Sequence, residues 1–482
     1  MANKTYLTTT LPYVNADPHI GFALELVQAD IWARAKALRG EEIFFNTGTD
    51  EHGLKIYRAA EAAGITPQEY VNGYAERFRA LPSALGVWPE INFIRTTDEH
   101  HVQAAQEFWR RCDASGDIYK KTYQVKYCVG CELEKTDSEL VDGRCPIHPN
   151  QELELIEEEN YFFRFSKYQD KLLALYESNP ELVVPAGRLN EIKTFVAAGL
   201  EDFSISRLAS KMSWGIPVPG DDDAGLPAGR QVMYVWFDAL VNYISAVGWP
   251  KDETKFKNWW PGTQFAGKDN LRQQSAMWQA MLLSANLPPS KQIMIHGFIT
   301  SGGQKMSKSL GNVVNPIELA SEYGAEAVRY FLARHVHPFE DSDFTIERFK
   351  EAYNSGLANG LGNLVSRVMK MAQDNLTAAP EIPTNTIPEE FFKLIDNFEF
   401  NKATELIWHK VGELDQKIQT TEPFKLVKTN PEQGQKLIAE LVVDLYTIGR
   451  MLNPIMPETN ALIKKMIKDN KAPEAPLFPR KD

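Results

Sequence analysis

The sequence has no run of eighteen apolar residues, and no basic segment followed by an apolar one opens it. The first absence argues against a membrane-spanning helix, and the second argues against a secretory leader. We therefore expect a cytosolic protein with no membrane partner. The chain has 482 residues, 43% hydrophobic and 24% charged, which is the composition of an ordinary globular protein. That length is too great for one compact core and predicts several domains.

Positive charge is also in short supply. The chain carries 52 Lys and Arg against 64 Asp and Glu, a formal net charge of −12. Binding to phosphate backbones needs clustered lysine and arginine, so a surface coated with nucleic acid is not expected. A local basic track on an acidic body is still compatible with this balance, and only motifs can decide that question.

Cysteine is scarce, with four residues, and three of them lie close together. In a cytosolic chain of this size such a cluster more often binds a metal than forms disulfides. Cys128 and Cys131 form a CxxC pair, Cys145 and His148 form a CxxH pair, and Cys112 stands apart. The two pairs offer four ligands for one tetrahedral zinc ion and leave no open position, which predicts a structural site. The alternative is a chance grouping of surface cysteines.

The segment GGQKMSKSLGN (302–312) does not fit the phosphate-binding pattern GxxxxGK followed by Ser or Thr. It nevertheless places Lys305 and Lys308 in a loop that begins with two glycines. Two such lysines can neutralise the charge that develops on a leaving pyrophosphate, and a loop of this kind can close after ATP binds. The alternative is a solvated turn.

The hydrophobic pattern predicts an α/β protein without internal repeats. A buried strand at 6–10 is followed by a helix, for which Asp17 is the expected N-cap and Pro18 the first residue. A second strand at 42–47 completes a βαβ unit, which predicts a parallel sheet. The pattern changes between 117 and 225, returns between 226 and 344, and becomes helical from 345 to 482.

His19 lies where this first strand gives way to the helix. Ligands bind beyond the carboxyl ends of parallel strands, and helix N-termini attract phosphate. Gly21 would allow a base or ribose to approach the backbone closely. The alternative is a structural or surface histidine.

Two segments together resemble the paired signatures of class I aminoacyl-tRNA synthetases. His19-Ile20-Gly21 matches three of the four residues of HIGH, with Phe22 at the fourth, and residues 305–309 match KMSKS in full. Almost the whole chain is similar to the methionyl-tRNA synthetase family. The matching segments are Leu11-Pro12-Tyr13, Gly48-Thr49-Asp50-Glu51-His52-Gly53, Glu159-Asn160-Tyr161-Phe162, Trp214-Gly215-Ile216-Pro217, Trp236-Phe237-Asp238-Ala239-Leu240, Gly267-Lys268-Asp269 and Leu361-Gly362-Asn363-Leu364.

The resemblance implies a Rossmann-like catalytic domain in two halves (1–116 and 226–344), a connective insertion with a zinc knuckle (117–225), and an α-helical anticodon-binding bundle (345–482). It implies that methionine is activated with ATP to methionyl-adenylate and transferred to a tRNA with a CAU anticodon, with Mg²⁺ bridging the phosphates.

The family's site residues carry over position by position. The implied catalytic residues are His19, Lys305 and Lys308. The implied ATP-binding residues are these three with Gly21, Phe22 and Ser307. The implied methionine-binding residues are Leu11, Tyr13, Asp50, Trp236, Tyr243 and Gln274. The implied anticodon-binding residues are Asn363, Arg367 and Phe424. This chain has Phe22, Gln274 and Phe424 where the family commonly has histidine, histidine and tryptophan.

Two alternatives stay open at this point. A synthetase for leucine, isoleucine or valine would share the signatures, but its editing insertion needs far more than the residues between 117 and 225. An RNA-binding paralogue without catalysis is permitted by Phe22 and Gln274. The family's appended C-terminal dimerisation domain has no counterpart in this sequence, so we expect a monomer.

Overall fold

The computed structural model describes residues 3–135, 139–221, 231–306, 312–383 and 387–481. Its strands in the described residues are β1 (Lys4–Thr9), β2 (Glu42–Thr49), β3 (Asn92–Arg95), β4 (Ile118–Cys128), β5 (Leu133–Lys135), β6 (Glu154–Phe163), β7 (Val183–Val184), β8 (Phe203–Ser204), β9 (Ser206–Leu208), β10 (Gln231–Met233), β11 (Thr263–Gly267), β12 (Gln292–His296), β13 (Ile299–Ser301), β14 (Gln304–Lys305) and β15 (Ser342–Phe344).

A six-stranded sheet in the order β3-β2-β1-β11-β12-β7 forms the centre of the molecule. All five pairings in it are parallel. The middle strands β1 and β11 are almost wholly buried, as expected of strands covered by helices on both faces. The α/β fold class and the parallel sheet predicted from the sequence are confirmed.

Helices cover this sheet and make up the C-terminal part of the chain. In the described residues they are α1 (Ile20–Leu38), α2 (Leu54–Ala63), α3 (Pro67–Ala84), α4 (Glu99–Ala114), α5 (Gln169–Ser178), α6 (Ala186–Ala197), α7 (Val235–Ala239), α8 (Asn242–Ser245), α9 (Glu253–Trp259), α10 (Trp278–Ser284), α11 (Pro316–Tyr323), α12 (Ala325–Arg334), α13 (Ile346–Ala352), α14 (Asn363–Asn375), α15 (Glu389–Asp396), α16 (Phe400–Thr421), α17 (Pro423–Thr429), α18 (Pro431–Leu452) and α19 (Pro457–Asp469).

The start of α1 differs from the sequence prediction. We expected Asp17 to cap this helix, but the N-cap is His19, whose side chain accepts a hydrogen bond from the backbone of Gly21. Asp17 instead pairs with Arg77 of α3. The expectation was wrong because propensity favours Asp as a cap, whereas here a tertiary partner engages its carboxylate.

The segment that contains Cys128, Cys131, Cys145 and His148 is attached to an antiparallel sheet in the order β5-β4-β6-β8. Its long β4–β6 pair runs from Ile118 opposite Phe163 to Tyr127 opposite Glu154. Strand β7, although it lies within 117–225, pairs with β12 at the edge of the central sheet. The domain boundaries given above remain predictions.

A buried arginine attaches the C-terminal helices to α1. Arg329 of α12 and Asp30 of α1 lie 2.6 Å apart with both side chains fully buried. Arg329 also donates to the backbone oxygens of Pro454 and Ile455, between α18 and α19. A large apolar core continues from α1 through α12 into these helices. Within the described residues, no helix has the length and apolarity needed to cross a membrane.

Candidate active site and metal centre

The predicted nucleotide end of the site lies at the start of α1. Nδ1 of His19 accepts from the Gly21 backbone nitrogen at 3.1 Å. A Cβ at position 21 would lie 2.8 Å from this imidazole, so glycine is required for the histidine to fold back on the helix. Phe22 stacks on the same ring, with centroids 4.3 Å apart, and meets Phe78 edge-on at 5.3 Å.

A second group beside β1 was not predicted from the sequence. Glu25 of α1 accepts from both the backbone nitrogen and the hydroxyl of Thr10 at 2.6 Å. Nε2 of His296, at the end of β12, lies 2.8 Å from the other oxygen of Glu25. Burial would lower the pKa of His296, but the Glu25 carboxylate outweighs it and raises that pKa. The pair is far apart in sequence, and no local spacing indicates it.

The KMSKS segment begins on a hairpin. Strands β13 and β14 are joined at Gly302 and Gly303, both with positive φ, and this explains why glycine stands at both positions. Asp343 holds the turn by accepting from Gly303 at 2.8 Å. The backbone of Lys305 belongs to β14, whereas Ser307 and Lys308 lie outside the described residues.

Tyr13 and Asp50 are brought together by an isolated parallel bridge between their backbones. Asp50 is 6% exposed. Burial and then the charge of Asp238 raise the pKa of Asp50 well above its usual range. Its Oδ1 is buried and has no hydrogen-bond partner among the described residues. An unsatisfied buried carboxylate oxygen is costly and suits a cationic ligand group.

Tyr243 and Gln274 are in direct contact. The Gln274 amide donates to the Tyr243 hydroxyl at 2.6 Å, and both side chains are buried. Gln274 lies in a π-helical turn, Gln273–Met277, a form often found at functional sites. Trp236, on α7, has a buried indole nitrogen with no partner among the described residues. Leu11 is half-buried in the loop between β1 and α1.

Asp238, His52 and His101 form a buried cluster that sequence reasoning missed. His52 and His101 each place a ring nitrogen within 3.0 Å of the Asp238 carboxylate. The resemblance included His52 and Asp238 in matched segments, but nothing in the sequence indicated that they meet.

The cysteine cluster has the geometry of a metal site. The ligand atoms of Cys128, Cys131, Cys145 and His148 all lie within 4.8 Å of one another. In each pair the last residue donates its backbone N–H to the first, at 3.2 Å. Burial would raise the pKa of Cys145, but backbone N–H groups of His148 and Ile147 outweigh it and lower that pKa. The Cys₃His set can therefore hold one metal ion, while Cys112 is buried elsewhere.

Two of the three predicted anticodon residues share a cavity. Arg367 of α14 and Phe424 of α17 both line a space of about 490 Å³. Arg367 pairs with Asp415, and the Phe424 ring is 44% exposed. Asn363 is exposed one turn before Arg367 on the same helix and is not among the residues that line this cavity.

The sequence matches a family model described as tRNA synthetases class I (M) over residues 5–154 and 148–369. The methionine–tRNA ligase of Thermotoga maritima is 38% identical over 98% of this chain and 76% of its own length. The chain belongs to the methionine–tRNA ligase family. The ligase of Thermosynechococcus vestitus is 45% identical over 80% of this chain and 72% of its own length.

Solved methionyl-tRNA synthetases share the fold over their full length. The Mycobacterium tuberculosis enzyme in complex with methionyl-adenylate superposes with a TM-score of 0.91, at 35% identity, covering 99% of this chain and 100% of that one. Its free form superposes with a TM-score of 0.83 at 31% identity. As a member of the methionine–tRNA ligases, this chain is an enzyme of the aminoacyl-tRNA synthetase class, and the paralogue without catalysis is not favoured.

Proposed function

We propose that this chain activates methionine with ATP and transfers the methionyl group to a tRNA with a CAU anticodon. The observation that carries the proposal is the unpartnered, buried Asp50 oxygen beside Tyr13. A carboxylate in this setting accepts the α-ammonium of an amino acid as a charge-assisted partner. The family's M. tuberculosis member binds methionyl-adenylate, which supports the same chemistry.

The methionine side chain is uncharged, so its pocket must select by shape and by contact with polarizable sulfur. Leu11, Trp236 and Tyr243 offer apolar and aromatic surface for it. Gln274 satisfies the Tyr243 hydroxyl at 2.6 Å, which removes a polar demand that a thioether, a weak acceptor, cannot meet. Gln274 therefore substitutes for the family's histidine as a support for Tyr243.

Activation needs no protein nucleophile. An oxygen of the methionine carboxylate attacks the α-phosphorus of ATP, the bond to the β-phosphate breaks, and pyrophosphate leaves. We assign His19, Lys305 and Lys308 to the charge that develops on the phosphates, with Gly21, Phe22 and Ser307 around the nucleotide. Catalysis then consists of positioning and charge stabilisation.

Two metals belong to the proposal. The four ligand atoms and the N–H donors to Cys145 fit Zn²⁺, which favours tetrahedral sulfur and nitrogen sites. All four positions are protein ligands, so the zinc would be structural. Mg²⁺ would accompany ATP and offset the charge of its phosphates.

The anticodon would bind at the cavity lined by Arg367 and Phe424. Phe424 offers an exposed ring for stacking on a base. Arg367 offers hydrogen-bond donors in the same cavity, and Asn363 offers another donor one turn earlier on α14. We further propose that the protein is cytosolic and monomeric. Sedimentation analysis of the purified chain tests the monomeric state.

The test of the whole proposal is amino-acid-dependent exchange between ATP and radiolabelled pyrophosphate. Methionine should support exchange, whereas leucine and isoleucine should not. If leucine or isoleucine drives exchange better than methionine, the assigned substrate is wrong. If the unmodified chain is silent and Phe22→His restores exchange, the chain is a binding paralogue.

A further inference from the structure

Asp238 is a buried charge to which the proposed reaction gives no role. It lies on α7, two residues after Trp236, and is fully buried. Nδ1 of His52 is 2.6 Å from one carboxylate oxygen, and Nε2 of His101 is 3.0 Å from the other. A buried charge is stable only when it is paired or hydrogen-bonded. Two imidazole N–H donors meet that requirement even when both rings are neutral.

The partners of this carboxylate come from separate elements. His52 lies two residues after Asp50, in the loop between β2 and α2. His101 belongs to α4, and its Nδ1 lies 3.0 Å from the hydroxyl of Ser245 on α8, the helix that also carries Tyr243. Three segments that carry predicted methionine-site residues therefore meet at one buried carboxylate.

The cluster also acts on Asp50 itself. Burial is the largest cause that raises the pKa of Asp50, and the nearby Asp238 charge raises this pKa further. The His52 backbone N–H, which bonds to the Asp50 carboxylate, opposes the rise. Burial would raise the pKa of Asp238, but His52 and His101 outweigh it and lower that pKa. A bound ammonium group at Asp50 would therefore also meet the charge of Asp238.

We propose that Asp238, held by His52 and His101, is a positioning residue for the amino-acid site. It fixes the segment that carries Trp236 relative to the segment that carries Asp50. This sets the distance between Asp50, which would bind the ammonium group, and Trp236, which would contact the methionine side chain. This proposal rests on the proposed function, because it takes the ligand to be methionine, with its ammonium group at Asp50 and its side chain at Trp236.

The first test is the methionine Kd of the full chain, measured by titration calorimetry without ATP. In His52→Asn the side-chain nitrogen can take the place of Nδ1, whereas in His52→Leu no donor is left. His52→Leu removes a hydrogen bond to a charged group, so it should weaken methionine binding about tenfold or more. His52→Asn should stay within about threefold of the unmodified chain.

The matched control is His335→Leu. His335 is a half-buried histidine beside Tyr330 on the α12 side of the molecule, and its replacement should leave the methionine Kd unchanged. His101→Leu and His101→Gln form a second pair, because glutamine can still donate near the Nε2 position. ATP binding should change less than twofold in all of them.

The inference is overturned if His52→Leu and His52→Asn weaken methionine binding equally while both remain folded. It is also overturned if the leucine variants unfold at lower temperature but bind methionine normally, since the cluster would then be only structural. If a His52 variant does not fold, the same comparison of methionine Kd values between His101→Leu and His101→Gln tests the inference. Absence of methionine binding by the unmodified chain would instead refute the proposed function, so the two failures are distinct.

Discussion

At the scale of single residues, the phenylalanine at the fourth position of the HIGH signature has a defined place. Its ring stacks on His19 and meets Phe78 edge-on. Aromatic pairs of this kind are worth about 0.5–1.5 kcal/mol beyond their burial. Phe22 therefore supports the imidazole by packing, where the family's histidine offers a hydrogen-bond donor.

This contact predicts unequal effects at the two positions. His19→Ala should lower pyrophosphate exchange about 10²-fold or more, the scale for losing a group aimed at developing charge. Phe22→Ala should cost much less, and Phe22→His should keep activity within about tenfold. Single-turnover adenylate formation measures all three. Equal losses for His19→Ala and Phe22→Ala would contradict the larger role assigned to His19.

Asp50 predicts a trade between stability and binding. Because its pKa is raised in the folded chain, the folded state holds this proton more tightly than the unfolded state does. The contribution of Asp50 to stability therefore falls as pH rises from the pKa of Asp50 in the unfolded chain, about 3.9, through its pKa in the folded chain. Asp50→Asn should raise the unfolding temperature at pH 7, and the gain should vanish below about pH 4. Calorimetric scans across pH test this.

The same variant should weaken methionine binding about 10²-fold, because a charge-assisted bond is lost. A variant that gains stability and keeps full methionine affinity would show that Asp50 does not receive the ammonium group.

At the scale of elements, the Cys₃His knuckle predicts metal dependence. Cys128→Ser should lose the zinc measured by elemental analysis, and Cys112→Ser should keep one zinc per chain. Gly130→Ala offers a subtler test, since a Cβ there would lie 2.6 Å from Cγ of His148. It should weaken zinc retention against a chelator without removing a ligand. Unchanged zinc in Cys128→Ser would refute the site.

Helix α14 predicts a separation of the two reaction steps. Asn363→Ala and Arg367→Ala should lower tRNA charging while leaving pyrophosphate exchange within about twofold, because the cavity beside them lies on the helical part. Lys402→Ala is the control, since the described contacts pair this lysine only with Glu399 at the start of α16 and it does not line the cavity. Equal losses in both assays would mean that Asn363 and Arg367 support the fold.

Sequence reasoning succeeded where the signal is local. The βαβ unit, the knuckle spacing and the helical C-terminus depend on periodicity or short motifs, and the structure contains them. It failed at the cap of α1, where Arg77 engages Asp17. It could not find the pairing of Glu25 with His296 or of Asp238 with His52. These partners are more than 180 residues apart in the sequence, and no local pattern indicates which distant side chains meet in the fold. Roles at Ser307 and Lys308 stay predictions.

At the scale of the whole molecule, the buried Arg329 joins α1, through Asp30, to the C-terminal helices, through the backbone oxygens of Pro454 and Ile455. Removing one partner of a buried pair costs about 3–5 kcal/mol when the other charge is left uncompensated. Asp30 keeps Arg34 at 2.7 Å and the Trp88 backbone N–H at 2.8 Å as partners, so Arg329→Met should lower the free energy of unfolding by less than that amount. Denaturant unfolding followed by fluorescence tests it. The double variant Asp30→Leu with Arg329→Met should recover part of the loss, and no recovery would contradict a charge effect.

The order of strands in the central sheet has a consequence for synthesis on the ribosome. Leu7 of β1 pairs with Thr263 of β11, so one side of β1 has no neighbour until about 250 more residues have been translated. At about 5–20 residues per second, the nascent chain carries an open, apolar strand edge for roughly ten to fifty seconds. Such edges recruit other chains. Nascent-chain pulldowns should therefore find chaperones on this polypeptide until β11 emerges, and release soon afterwards.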